Sequence, residues 1–140
     1  MQAIMFLPVI AVAMFGLIRV WQVIQVRDSL HTGTYLATRY MSLYTPETSD
    51  PVFWEDIAYK FILAELEANP WVDKMRLIPG SPTIGVTVVL TDGGYECTND
   101  FTVEAKYTMN VMGGDPGQNG LPGLSDITLV DLRKGEVLCK

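Results

Sequence analysis

The chain has 140 residues, 49% of them hydrophobic, and a formal net charge of −6 that is unevenly spread. Residues 1–44 hold Arg19, Arg27 and Arg39 against Asp28, a balance of +2, whereas 45–140 hold seven basic and fifteen acidic side chains, a balance of −8. About 96 residues suffice for one small domain beside an N-terminal segment, and its acidity argues against nucleic acid as a partner, since phosphate binding needs clustered Lys and Arg.

The first segment, Ala3 to Ile18, reads AIMFLPVIAVAMFGLI, without a charge or a strong polar group. As a helix it is roughly 24 Å long, somewhat short of the ~30 Å hydrocarbon core of a bilayer. Apolar all round, its side chains, including Ala3, Phe6, Leu7, Ile10, Phe15 and Ile18, need lipid or other helices. Pro8 removes one helical hydrogen bond and Gly16 adds local pliability, so both mark places where the helix can bend. Met1-Gln2 leads straight into the apolar run without a basic leader, so Met1 is either an initiator or the first residue of a processed product.

From Arg19 to Tyr44 the helical pattern continues without a Pro or a cap. Less polar residues recur on heptad steps at Val20, Val23, Leu30, Thr34, Ala37, Met41 and Tyr44. One helix of about 43 residues spans roughly 65 Å, so its greasy first half and one-sided second half sit in different surroundings. The second half is expected to carry a domain against it. Arg19 reads either as a cation snorkelling to headgroups or, with Arg27, as a partner for Asp28 of another copy. His31, the single histidine, reads as a solvated or packing residue.

Thr45 to Ser49 is a linker, and Asp50-Pro51 has the form of an N-cap followed by Pro at the first helical position. The second helix is expected to run to about Ala68. Phe53, Trp54, Ile57, Ala58, Phe61, Ile62 and Leu66 form its buried face, Glu55, Asp56, Lys60, Glu65 and Glu67 face water, and Asn69-Pro70 stops it. Beyond Pro70 the period becomes two: strands are expected over Trp71–Ile78, Thr83–Thr91 and Phe101–Met112, with a turn at Asp92-Gly93-Gly94. A last strand or hairpin covers Asp126–Cys139, turning near Lys134-Gly135. The fold class is therefore α+β, a long N-terminal helix and a second helix on an antiparallel sheet of about four strands with one wet face. Between Gly113 and Gly123, glycine recurs every third residue from Gly114, too briefly for a triple helix, and reads as an exposed loop.

Cys97 and Cys139 both fall in the acidic body. Outside the cytoplasm such a pair closes a disulfide that contributes roughly 4 kcal/mol in the chain-entropy model and pins the C-terminal end; the alternative is two buried thiols. Little else suggests chemistry. One histidine and no paired Cys motif cannot supply an ordinary zinc site or a Ser-His-Asp nucleophile. Asp92, Asn99, Asp100 and Asp115 lack the EF-hand spacing for calcium. The expectation is a protein that is not an enzyme, without catalytic residues, cofactor or metal.

Four motifs carry a resemblance. They are Phe6-Leu7-Pro8-Val9 in the apolar run, Val26-Arg27-Asp28-Ser29-Leu30, Ala37-Thr38-Arg39-Tyr40, and Val103-Glu104-Ala105-Lys106-Tyr107 in a strand. Together with the long helix and the small α+β body, they resemble the pilins and pseudopilins of tight-adherence systems, the TadE-like branch of the type IV pilin-like superfamily. Where such families usually carry a glutamate near the mature N-terminus, this chain has the uncharged Gln2 and Met5. The resemblance implies a structural subunit of an extracellular, type IV pilus-like filament. Its partners would be identical subunits in a helical assembly, the pilus assembly machinery, and the inner membrane before assembly. The alternatives are a membrane-anchored minor pseudopilin or a tethered binding module that does not polymerise. A plain anchor has no need of the heptad extension from Val20 to Tyr44, which weighs toward the filament.

Overall fold

The computed structural model describes residues 2–44, 50–72, 74, 77, 83–91, 98–110 and 126–138. Their elements are α1 (Gln2–Leu43), α2 (Pro51–Ala68), β1 (Ile84–Leu90), β2 (Asp100–Asn110) and β3 (Asp126–Glu136). The fold is α+β. Both helices lie on one face of an antiparallel sheet ordered β1-β2-β3.

The ends of α2 follow from its punctuation. Asp50 is extended and its carboxylate accepts the Val52 N–H at 3.0 Å, Pro51 occupies the first turn, and Asn69 leaves the helix at φ −83°, ψ 122°. Trp54, Ala58, Ile62 and Leu66 are buried on a single stripe. Phe53 is 44% exposed, which narrows the expected face. Glu55, expected to face water, instead accepts the Val88 N–H at 3.2 Å and so covers part of the edge of β1.

α1 is a single helix through Pro8. Its buried stripe is Val26, Leu30, Thr34, Ala37, Thr38 and Met41, so packing starts at Val26; Val20 is 58% exposed and Tyr44 is 41% exposed. Among the described residues, no α1 side chain before Val26 is buried. Thr34 and Thr38 are accommodated in the core because each hydroxyl donates to the carbonyl one turn back, of Leu30 and Thr34 respectively, at 2.8 Å. The two helices approach closely at Gly33, where a Cβ would stand 2.9 Å from the Ile62 Cα.

Among the described residues the sheet has three strands, where about four were expected. The described residues of the Trp71–Ile78 segment are not a strand: Val72 N donates to Asn69 O and Leu77 N to Lys74 O, both at 3.3 Å, in tight turns that drop Val72 and Leu77 into the core. β3 is one continuous strand, with no hairpin at Lys134-Gly135. Gly135 pairs with Phe101, and a Cβ there would collide with Cζ and Cε1 of the Phe101 ring and stand 2.8 Å from Thr38 Cγ2. The glycine makes room for a buried ring rather than a turn. On β2 the alternation holds, with Phe101, Val103, Ala105 and Tyr107 buried under the helices. The 45–49 linker, the 92–94 turn, the 113–123 loop, Cys97 and Cys139 lie outside the described residues.

Candidate functional site

The feature that distinguishes this molecule is what its body leaves uncovered. Twelve large apolar side chains between Phe6 and Ile24 are 49% or more exposed, among them Phe6, Leu7, Ile10, Phe15 and Ile18. A Cβ on Gly16 would meet nothing within 4 Å; Ala3 and Pro8 lie in the same helix. The helix is long and apolar enough to cross a membrane, and its most apolar stretch is unburied throughout.

The charges expected to act between subunits are placed differently from one another. Arg19 is satisfied locally: its Nη1 donates to Gln22 Oε1 at 3.1 Å and its guanidinium lies 4.9 Å from the centre of the Phe15 ring. Arg27 and Asp28 are exposed on α1, and neither makes an ion pair among the described residues.

Where α1 meets the edge strand β3, three polar side chains converge that sequence reading missed. His31 Nδ1 lies 3.0 Å from Asp131 Oδ1, Arg133 Nε lies 3.7 Å from Asp131 Oδ2, and Arg133 also contacts the imidazole. The signal for this seam was the register of β3: Ile127, Leu129, Asp131 and Arg133 share the helix-facing side. The strand therefore turns from apolar to charged along one face. With side chains 20% to 52% exposed, the trio holds β3 to α1. Further along the seam, Tyr35, Arg39, Ser42, Arg133 and Lys134 line a groove of about 390 Å³, a local concentration of positive charge on an acidic chain.

Asn69 fixes the opposite helix seam. Its amide nitrogen donates to Gln25 O at 3.0 Å and to Ser29 Oγ at 2.7 Å, while its side-chain oxygen accepts the Trp71 N–H at 2.9 Å. This sets the level along α1 at which the body ends.

Among the described residues, no three His, Cys, Asp or Glu side chains are grouped to hold a metal ion. No protein-family model, curated protein or solved structure matches the chain.

Proposed function

We propose that the chain is the structural subunit of an extracellular, type IV pilus-like filament of the tight-adherence type, polymerising through the exposed half of α1. The observation that carries this reading is the run of twelve uncovered apolar side chains from Phe6 to Ile24. At roughly 100 Å² each they present about 1,200 Å², at least twice the largest patch on a typical soluble monomer, worth on the order of 30 kcal/mol when shielded from water.

Two environments shield such a surface in turn. In the inner membrane lipid covers Ala3 to Ile18; in the filament the same residues pack against α1 of neighbouring copies, forming a lipid-free core with the acidic bodies outside. Arg27 and Asp28, exposed and without an ion pair among the described residues, suit pairing across that core boundary. The positive groove lined by Arg39, Arg133 and Lys134 suits the acidic body of a neighbour. Identical subunits and the assembly machinery are the partners, and the reading requires neither catalysis nor a cofactor.

The Cys97–Cys139 disulfide belongs to the same reading, as a staple for a body outside the cytoplasm. Its support is that the flanking backbone is paired: Thr98 N donates to Val137 O at 3.0 Å and Val137 N to Asn99 O at 3.1 Å.

A membrane-anchored pseudopilin or tethered binding module is the second reading. One observation favours it: the stripe from Val26 to Met41 is consumed by the chain's own body, so the heptad extension no longer separates an anchor from a filament. Val12, 73% exposed, supplies the test. A Val12→Cys variant treated on cells with a short bismaleimide should give covalent dimers in the material sheared from the cell surface. Monomer confined to the membrane fraction would favour the anchor instead.

A further inference from the structure

The end of the body nearest the apolar run carries an aromatic pair with no packing purpose evident inside the chain. Trp21 of α1 and Trp71, just past α2, meet edge to face with ring centres 5.6 Å apart and planes at 81°, yet they remain 49% and 43% exposed. Their meeting is enforced. Asn69 holds the turn to Gln25 and Ser29, and Val72, 6% exposed, anchors its other side in the core.

Ile127, at the start of β3, reaches α1 at the same level. It shares a groove of about 420 Å³ with Phe15, Arg19, Val20 and Ile24 and is 39% exposed. Lys74, in the turn beyond Trp71, is exposed as well. The end of the body thus offers two tryptophans, an isoleucine and two cations around the point where the apolar helix emerges. That composition is the one enriched where proteins cross from hydrocarbon to headgroups, because the indole ring has an apolar body and a polar N–H.

The lengths agree with this placement. From Gln2 to Trp21 the helix rises about 29 Å, against the ~30 Å of a hydrocarbon core, which relieves the shortfall of the Ala3–Ile18 run taken alone. From Trp21 to Gln25 it rises about 6 Å, within the roughly 5–7.5 Å that each headgroup layer adds.

We propose that this end of the body is a membrane-resting face: before assembly, Trp71, Ile127 and Lys74 sit in the headgroup layer of a phospholipid bilayer beside Trp21 and Arg19. The inference rests on membrane insertion of α1 and adds that the body is seated on the lipid rather than held clear of it. Extraction into a filament then removes Trp71 from lipid together with the helix.

Tryptophan emission tests this in the full chain reconstituted into phosphatidylcholine–phosphatidylglycerol vesicles whose acyl chains are brominated close to the headgroup. Trp54 is fully buried and stays in every variant as a shielded background. Trp21→Phe leaves Trp71 as the reporter of the body, and Trp71→Phe leaves Trp21 as the reporter of the helix. The expected result is quenching of both variants, with the Trp71 contribution falling by about half, and weaker quenching when the bromines lie near the chain ends. Quenching of Trp21 alone would overturn the resting face while leaving insertion intact. Quenching of neither would remove both. A Trp71 shielded from bromine and from aqueous iodide alike would mean that a second copy covers the face, and would equally overturn the proposal.

Discussion

Replacing Asn69 with alanine removes three hydrogen bonds that join α2, α1 and the turn carrying Trp71. The side chain is 6% exposed, and its bonds to Gln25 O, Ser29 Oγ and the Trp71 N–H span 2.7 to 3.0 Å. At about 1 kcal/mol net for each bond, the loss is about 3 kcal/mol, a large fraction of the 5–15 kcal/mol that holds a domain of this kind together. Asn69→Asp keeps the shape but turns a carboxylate oxygen toward the Gln25 carbonyl, burying a charge without a cation. It should be at least as damaging at neutral pH. Urea unfolding of the full chain in a mild detergent, followed by far-ultraviolet circular dichroism, measures both. A loss below about 0.5 kcal/mol for the alanine variant would show that the knot does not hold the turn, and would refute the reasoning.

Three further substitutions probe close packing and a perturbed ionisation. Gly33→Ala gains about 1 kcal/mol in helix propensity but forces a methyl to 2.9 Å from the Ile62 backbone, a strain of about 1–3 kcal/mol, so net destabilisation is expected in the same unfolding assay. Gly135→Ala should lower stability by about 1–3 kcal/mol, because its methyl runs into the Phe101 ring and Thr38 in the body's core; an unchanged midpoint would show that β3 shifts freely. Burial, and secondarily the charge of Glu67, raises the Tyr59 pKa above 10.0, while the buried hydroxyl has no hydrogen-bond partner among the described residues. The neutral phenol's contribution is therefore complete below pH 10 and is lost as pH rises through the folded pKa. Tyr59→Phe should keep or raise neutral-pH stability by about 1 kcal/mol and abolish that alkaline loss in a pH series of melts.

The parts of this molecule that were legible in its sequence are those set by local chemistry. Asp50-Pro51 and Asn69-Pro70 bound α2 because capping and the missing proline N–H act within a few residues. The alternation from Phe101 to Tyr107 fixed the buried face of β2. That the run from Phe6 to Ile18 stands apart from the body was legible in composition, apolar all round where the second half of the helix is one-sided.

What was misread depends on partners distant in the chain. Trp71–Ile78 looks extended by composition, but the side chain of Asn69 captures the Trp71 N–H and curls the segment. Lys134-Gly135 has the residues of a turn, and only the Phe101 ring opposite explains the glycine. The heptad series began at Val20 on paper because nothing local says where the body ends; the Asn69 knot at Gln25 and Ser29 puts the first buried residue at Val26. The His31–Asp131–Arg133 seam joins residues about a hundred positions apart and was visible only as charges in the apolar register of β3.

The central claim is that the uncovered half of α1 builds a polymer, and electron microscopy of material sheared from the native cell surface, with mass spectrometry of its protein, tests it most directly. The account predicts thin filaments composed mainly of this chain, with the Phe6–Ile24 surface in their core. A chain that stays in the membrane fraction, with no filament containing it, would contradict the claim.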